Sequence, residues 1–185
     1  MDHLDHRILS ALRVYGCDPR VAGAARALSW AGEHGALWLA AGLAGAAVDG
    51  ARRGAWVRGT ALTAGAHLVS LGVKRVVRRP RPAHVEPLVR TAGRHSFPSS
   101  HAASAAAAAV AFGMLATCRG GDSGRTTAPL ATTATRVALP PLATAMCLSR
   151  LVVGVHYPSD VAAGAALGAL TACAGGRWMR GGADD

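Results

Sequence analysis

Aromatic residues make up only 4% of this 185-residue chain: two Phe, two Tyr and four Trp. Large rings bury the most area per side chain, so a conventional water-soluble core has little to build on. Alanine and 23 glycines carry much of the 51% hydrophobic content. Each of them buries little area, a composition suited to helices that approach closely within a bilayer. Lysine is scarcer still, since Lys74 stands alone among 20 basic residues. Acidic residues number 10, leaving a net charge of +10. The four cysteines, Cys17, Cys118, Cys147 and Cys173, form no Cys-x-x-Cys pair, which argues against a zinc or redox motif. No cleavable signal peptide and no internal repeat are visible, so internal apolar segments are expected to direct insertion.

Long uncharged stretches lie between the arginines, and their positions order the chain. Residues 1–30 show a weak amphipathic pattern, Leu4-Ile8-Leu12 and then Val21-Ala25-Leu28. They read as helices at a membrane interface or as a cap on the bundle. Apolar spans are expected at residues 33–49, 56–73, 99–118, 131–152 and 158–175, with a sixth possible within 7–30. The expected fold is thus all-α, one domain, an integral membrane bundle of five or six helices. Pro140-Pro141 is expected to kink or interrupt the fourth span. Gly164-x3-Gly168 is a close-packing pattern in the fifth. Residues 119–128 read as a polar turn. Glu33-His34 reads as a helix-end pair, and His67 as a satisfied interhelical hydrogen-bonding group.

Three fragments carry chemistry. In Lys74-x6-Arg81-Pro82, both cations reach one phosphate if the segment is helical, with Arg as a fork and Lys as a point charge. Arg75, Arg78, Arg79, Arg90 and Arg94 read as charges of a solvated basic loop. Pro98-Ser99-Ser100-His101 opens a helix, with Ser99 as N-cap and first-turn amides facing an anion. His101 is placed to protonate a leaving oxygen. In Ser149-Arg150-x5-His156-x3-Asp160, His156 and Asp160 meet at i and i+4. Asp160 then accepts the Nδ1 proton and leaves Nε2 nucleophilic. Ser149 and Arg150 stand across a short loop. Crossing the expected spans gathers all three fragments at one membrane face.

These fragments resemble the signature of the type 2 phosphatidic acid phosphatase family, which shares its site with vanadium haloperoxidases. That signature is Lys-x6-Arg-Pro, Pro-Ser-Gly-His and Ser-Arg-x5-His-x3-Asp. One position departs, with Ser100 where the family has Gly, and the added side chain is expected to narrow the pocket. The resemblance implies a two-step hydrolysis without metal or cofactor. His156 is the expected nucleophile, His101 the acid and then the base, and Asp160 the orienting carboxylate. Lys74, Arg81, Ser99, Ser100, Ser149 and Arg150 are the expected phosphate-binding set. The expected partners are a lipid phosphate substrate and membrane lipids, not nucleic acid, in a multi-pass plasma-membrane protein. Chain length and the Ala/Arg bias resemble small actinobacterial members of the family, pointing to a polyprenyl phosphosugar. Polyprenyl diphosphate, phosphatidate and a catalytically inert scaffold are the alternatives.

Overall fold

The computed structural model describes residues 2–91, 93–117 and 128–180. All but the last residue of the turn expected at 119–128 lies outside them, as does Cys118. The described residues form α1 (Asp2–Arg13), α2 (Pro19–Ala31), α3 (Ala36–Val48), α4 (Arg53–Val77), α5 (Ser100–Thr117), α6 (Ala128–Val152), α7 (Pro158–Ala174) and α8 (Gly176–Arg180). The expectation of an all-helical chain therefore holds.

α5 is the central helix, packed against α4, α6 and α7. Its alanines explain why. Ala102, Ala103, Ala105, Ala107, Ala108 and Ala111 are fully buried, and only so small a side chain lets three neighbours close around one helix. α7 comes nearest. A Cβ on Gly164 would strike the Ser99 carbonyl, and one on Gly168 the Ala103 carbonyl. The Gly164-x3-Gly168 pattern is thus a contact face toward α5. Phe112, Trp38 and Met146 fill the wider spaces of the core.

The N-terminal helices pack on this core, α1 rotated from its apolar stripe. α1 buries Asp5 and Leu9 while Leu4 stays 63% exposed. α2 buries Ala22, Ala25 and Ser29. The helical period is as expected; in α1 the phase is shifted by one residue, whereas α2 keeps Ala25 inside and Leu28 against the core and turns Val21 outward. Asp5 and Ser29 decide the phase because both have polar partners in the interior, described below. α6 runs through Pro140-Pro141 without interruption, and the Thr144 hydroxyl donates back to the Pro140 carbonyl at 2.9 Å.

The helices fall close to the expected spans. Among the described residues, however, none is long and apolar enough to cross a membrane. α3 has 13 residues and α7 has 17, fewer than the roughly 20 that a hydrocarbon core of about 30 Å requires. Arg53 and Arg58 sit in the first turns of α4.

Candidate active site

The first fragment is not one helix face. Arg78 adopts a left-handed conformation (φ 52°) that ends α4, and its N–H caps the Lys74 carbonyl at 3.1 Å. Lys74 stays in the last helical turn, and Nζ donates to the carbonyls of Ser96 (3.1 Å) and Pro98 (2.6 Å). Arg81 lies beyond the break. Its Nε donates to the Gly93 carbonyl and its Nη1 to the Val155 carbonyl, each at 2.8 Å. The two cations therefore converge from a helix end and a loop rather than from adjacent helical turns.

Ser99 caps α5, accepting the Ala102 amide at 3.4 Å. Its own amide donates to the Asp160 carbonyl at 2.9 Å, joining the starts of α5 and α7. The next two residues face a cavity of about 730 Å3. Ser100 Oγ is buried with no hydrogen-bond partner. His101 Nε2 lies 3.1 Å from the Ser29 carbonyl, so that nitrogen carries a proton and Nδ1 is the free position.

Between α6 and α7 the chain reverses through Gly154 (φ 76°), a conformation that favours glycine. The reversal returns His156 to the cavity beside Arg150. Arg150 Nη1 donates to Ser29 Oγ at 2.6 Å, while its buried Nε has no partner. Ser149 points away, donating to the Met146 carbonyl at 2.7 Å.

His156 Nε2 faces Arg81 Nη1 at 3.4 Å. Because guanidinium is only a donor, this contact suits an unprotonated Nε2 with the proton on Nδ1. Nδ1 lies 3.6 Å from Asp160 Oδ2, which is ion-pair range but longer than a hydrogen bond. Asp160 is fixed from three sides. Its Oδ2 accepts the Tyr157 amide at 2.9 Å, its Oδ1 accepts Arg79 Nη1 at 2.9 Å, and its carbonyl holds Ser99. Burial, reinforced by Arg81 and Lys74, pushes the His156 imidazole down to about 3. The ring is thus neutral, with a lone pair available at ordinary pH. Burial, reinforced by Arg81, likewise lowers the Lys74 ammonium to about 8.

Six of the nine expected site residues line this one cavity: Lys74, Arg81, Ser100, His101, Arg150 and His156. Ser99, Ser149 and Asp160 are buried behind it. Among the described residues Glu33 is the one acidic residue on its wall. Among the described residues no cluster of three His, Cys, Asp or Glu side chains forms a metal-ligand set. Three converging cations, an unprotonated imidazole nitrogen and the unsatisfied donors of Ser100 and Arg150 make a receptor for a tetrahedral oxyanion beside a nucleophile.

The PAP2 superfamily profile matches residues 55–182. The chain belongs to the PAP2 superfamily. Two decaprenylphosphoryl-5-phosphoribose phosphatases resemble it. The one from Mycolicibacterium smegmatis is 44% identical over 148 residues, covering 79% of this chain and 72% of the relative. The one from Mycobacterium tuberculosis is 42% identical over 153 residues, covering 82% and 76%. The crystal structure of a transmembrane PAP2-type phosphatidylglycerolphosphate phosphatase from Bacillus subtilis shares the fold, with TM-score 0.55 and 20% identity over 97% of this chain and 94% of that one. This PAP2 protein is therefore a phosphoric monoester hydrolase.

The PAP2 profile begins at residue 55, yet residues before it reach both sides of the site. Ser29 of α2 holds Arg150 through its hydroxyl and His101 through its carbonyl. Asp5 of α1 accepts Arg79 Nη2 at 2.9 Å and receives the Ser159 hydroxyl and amide. Arg79, read from sequence as a solvated charge, instead bridges Asp5 and Asp160 and stacks over Tyr157, 4.1 Å from the ring centroid. Nothing in the spacing of these five arginines marks one of them as half-buried and ion-paired. His67 matches its reading, with Nδ1 3.1 Å from Ser104 Oγ. Glu33 and His34 line the cavity mouth rather than merely ending a helix.

Proposed function

We propose that this PAP2 phosphatase hydrolyses the 5-phosphate of a polyprenyl-linked phosphoribose, decaprenylphosphoryl-5-phosphoribose, releasing inorganic phosphate and the decaprenylphosphoryl ribose used in cell-wall arabinan synthesis. The identity to relatives that carry this name supports the substrate. The observation that carries the mechanism is the pairing of an unprotonated His156 Nε2 with buried, unpartnered Ser100 Oγ and Arg150 Nε.

His156 Nε2 attacks phosphorus as the bond to the ribose 5-oxygen breaks, and a proton brought in on the phosphomonoester monoanion passes through the free Nδ1 of His101 to the leaving oxygen. Water then attacks the phosphohistidine while His101 takes up its proton, and the N–P bond breaks to free phosphate. Asp160, held by Arg79 and the Tyr157 amide, offsets the imidazolium charge that forms on His156. Lys74, Arg81, Arg150 and Ser100 stabilise the equatorial oxygens. Ser99 and Ser149 act by holding the starts and ends of their helices.

We place the protein in the membrane as a multi-pass bundle, with this site at one end. Large apolar side chains on the outer helix faces support this, among them Leu43 (58% exposed), Leu68 (66%) and Leu170 (68%), because water-soluble surfaces seldom present so many.

The test is phosphate release from decaprenylphosphoryl-5-phosphoribose, decaprenyl diphosphate and phosphatidate by wild type and His156→Ala. The expected result is preference for the first lipid and loss of turnover in the folded variant. Equal rates on all three lipids would refute the substrate. Full activity of His156→Ala would refute the mechanism.

A further inference from the structure

The cavity presents more cations than one phosphate group engages. Arg150, buried, and Lys74 and Arg81, half-buried, form its floor, and Arg75, Arg90 and Arg94 line the same cavity from exposed positions. Among the described residues, none of these three rim guanidiniums has a hydrogen bond or ion pair. The rim is nonetheless not a free loop. The Leu88 amide donates to the Val153 carbonyl at 2.9 Å, just before Arg90. The Gly93 carbonyl accepts from Arg81, and His95 pairs with Pro80 in an antiparallel bridge. Arg90 and Arg94 therefore lie between anchors on the segments that carry Arg81 and His156. Arg75 stands next to Lys74 in the last turn of α4.

A cavity of about 730 Å3 falls in the size range that encloses a whole small molecule, well beyond one phosphate group. The lipid proposed above carries two phosphates. One is the 5-phosphomonoester and the other is the phosphodiester joining sugar to polyprenyl chain. We propose that Arg75, Arg90 and Arg94 form a second anion subsite that holds the substrate's phosphodiester while its phosphomonoester occupies the floor. The proposal rests on the phosphoribosyl-lipid reading above. Guanidinium forks suit the paired free oxygens of a phosphodiester, and their exposure at the mouth matches a group that stays near the lipid surface. The same arrangement would disfavour phosphatidate, which has no second phosphate to engage the rim.

The experiment measures steady-state kinetics on decaprenylphosphoryl-5-phosphoribose in neutral detergent micelles, for wild type and the R75Q/R90Q/R94Q variant. The expected result is a KM raised roughly tenfold or more, as for loss of at least one charge-assisted hydrogen bond, with the change falling on KM rather than kcat. Inhibition by tungstate, which occupies only the floor, should remain within about twofold on this accounting. An unchanged KM, or a parallel loss of tungstate affinity, overturns the proposal. Binding to phosphatidylglycerol micelles separates a general headgroup contact from a substrate contact. If the variant loses that binding while its KM is unchanged, the rim serves bulk lipid and the subsite is refuted. Absence of phosphate release by wild type marks failure of the proposed function itself, a distinct outcome.

Discussion

At the residue scale, Lys74 shows how burial converts an ordinary cation into a titrating one. Its ammonium is desolvated and faces Arg81, which lowers it to about 8. The group is charged below that value and neutral above it, so anion binding should weaken as pH rises through about 8. Tungstate keeps its charge above neutral pH and is the suitable probe. Its inhibition constant is expected to rise across this window in wild type and to stay flat in Lys74→Arg, because guanidinium remains protonated. A flat wild-type profile would show that Lys74 does not contact the anion. Ser100 is the second lesson at this scale. The departure from the family signature was legible in the sequence, but that its hydroxyl is buried and unpartnered was not.

At the element scale, the N-terminal helices gain their meaning from what they touch. Ser29 on α2 joins Arg150 and His101. Ser29→Ala removes the hydroxyl that accepts from Arg150 and leaves the carbonyl that accepts from His101. It is expected to weaken tungstate binding about tenfold, the usual loss for a hydrogen bond to a charged group, with little change in kcat at saturating substrate. A merely structural role would lower the thermal midpoint and leave tungstate affinity unchanged, and that outcome would remove Ser29 from the site. The existence of α1 and α2 was readable from a period of about four residues. The phase of α1 was not, because the apolar stripe placed Leu4 inward and the fold buries Asp5 and Leu9. A buried carboxylate is stable only where a cation meets it, and that cation, Arg79, is 74 residues away.

At the scale of the whole molecule, the small-residue helices and exposed outer leucines make opposite demands on hydropathy. Close packing around α5 needs alanine and glycine, and among the described residues no helix is both long and apolar enough to mark a membrane span. If the bundle is integral, the protein should remain in the membrane pellet after high-salt and alkaline carbonate washes and be released only by detergent. Release by salt alone would assign its membrane contact to the arginines. The sequence by itself determined the helical class and the family and singled out nine candidate positions, because short motifs at fixed spacing are local properties of the chain. Only the tertiary structure decided which of those side chains face the cavity. It also decided that Lys74 and Arg81 converge from opposite sides of a helix break, and that Asp5, Ser29 and Arg79 support the site. These depend on partners far away in sequence, and burial chooses among otherwise identical arginines only once the chain has folded.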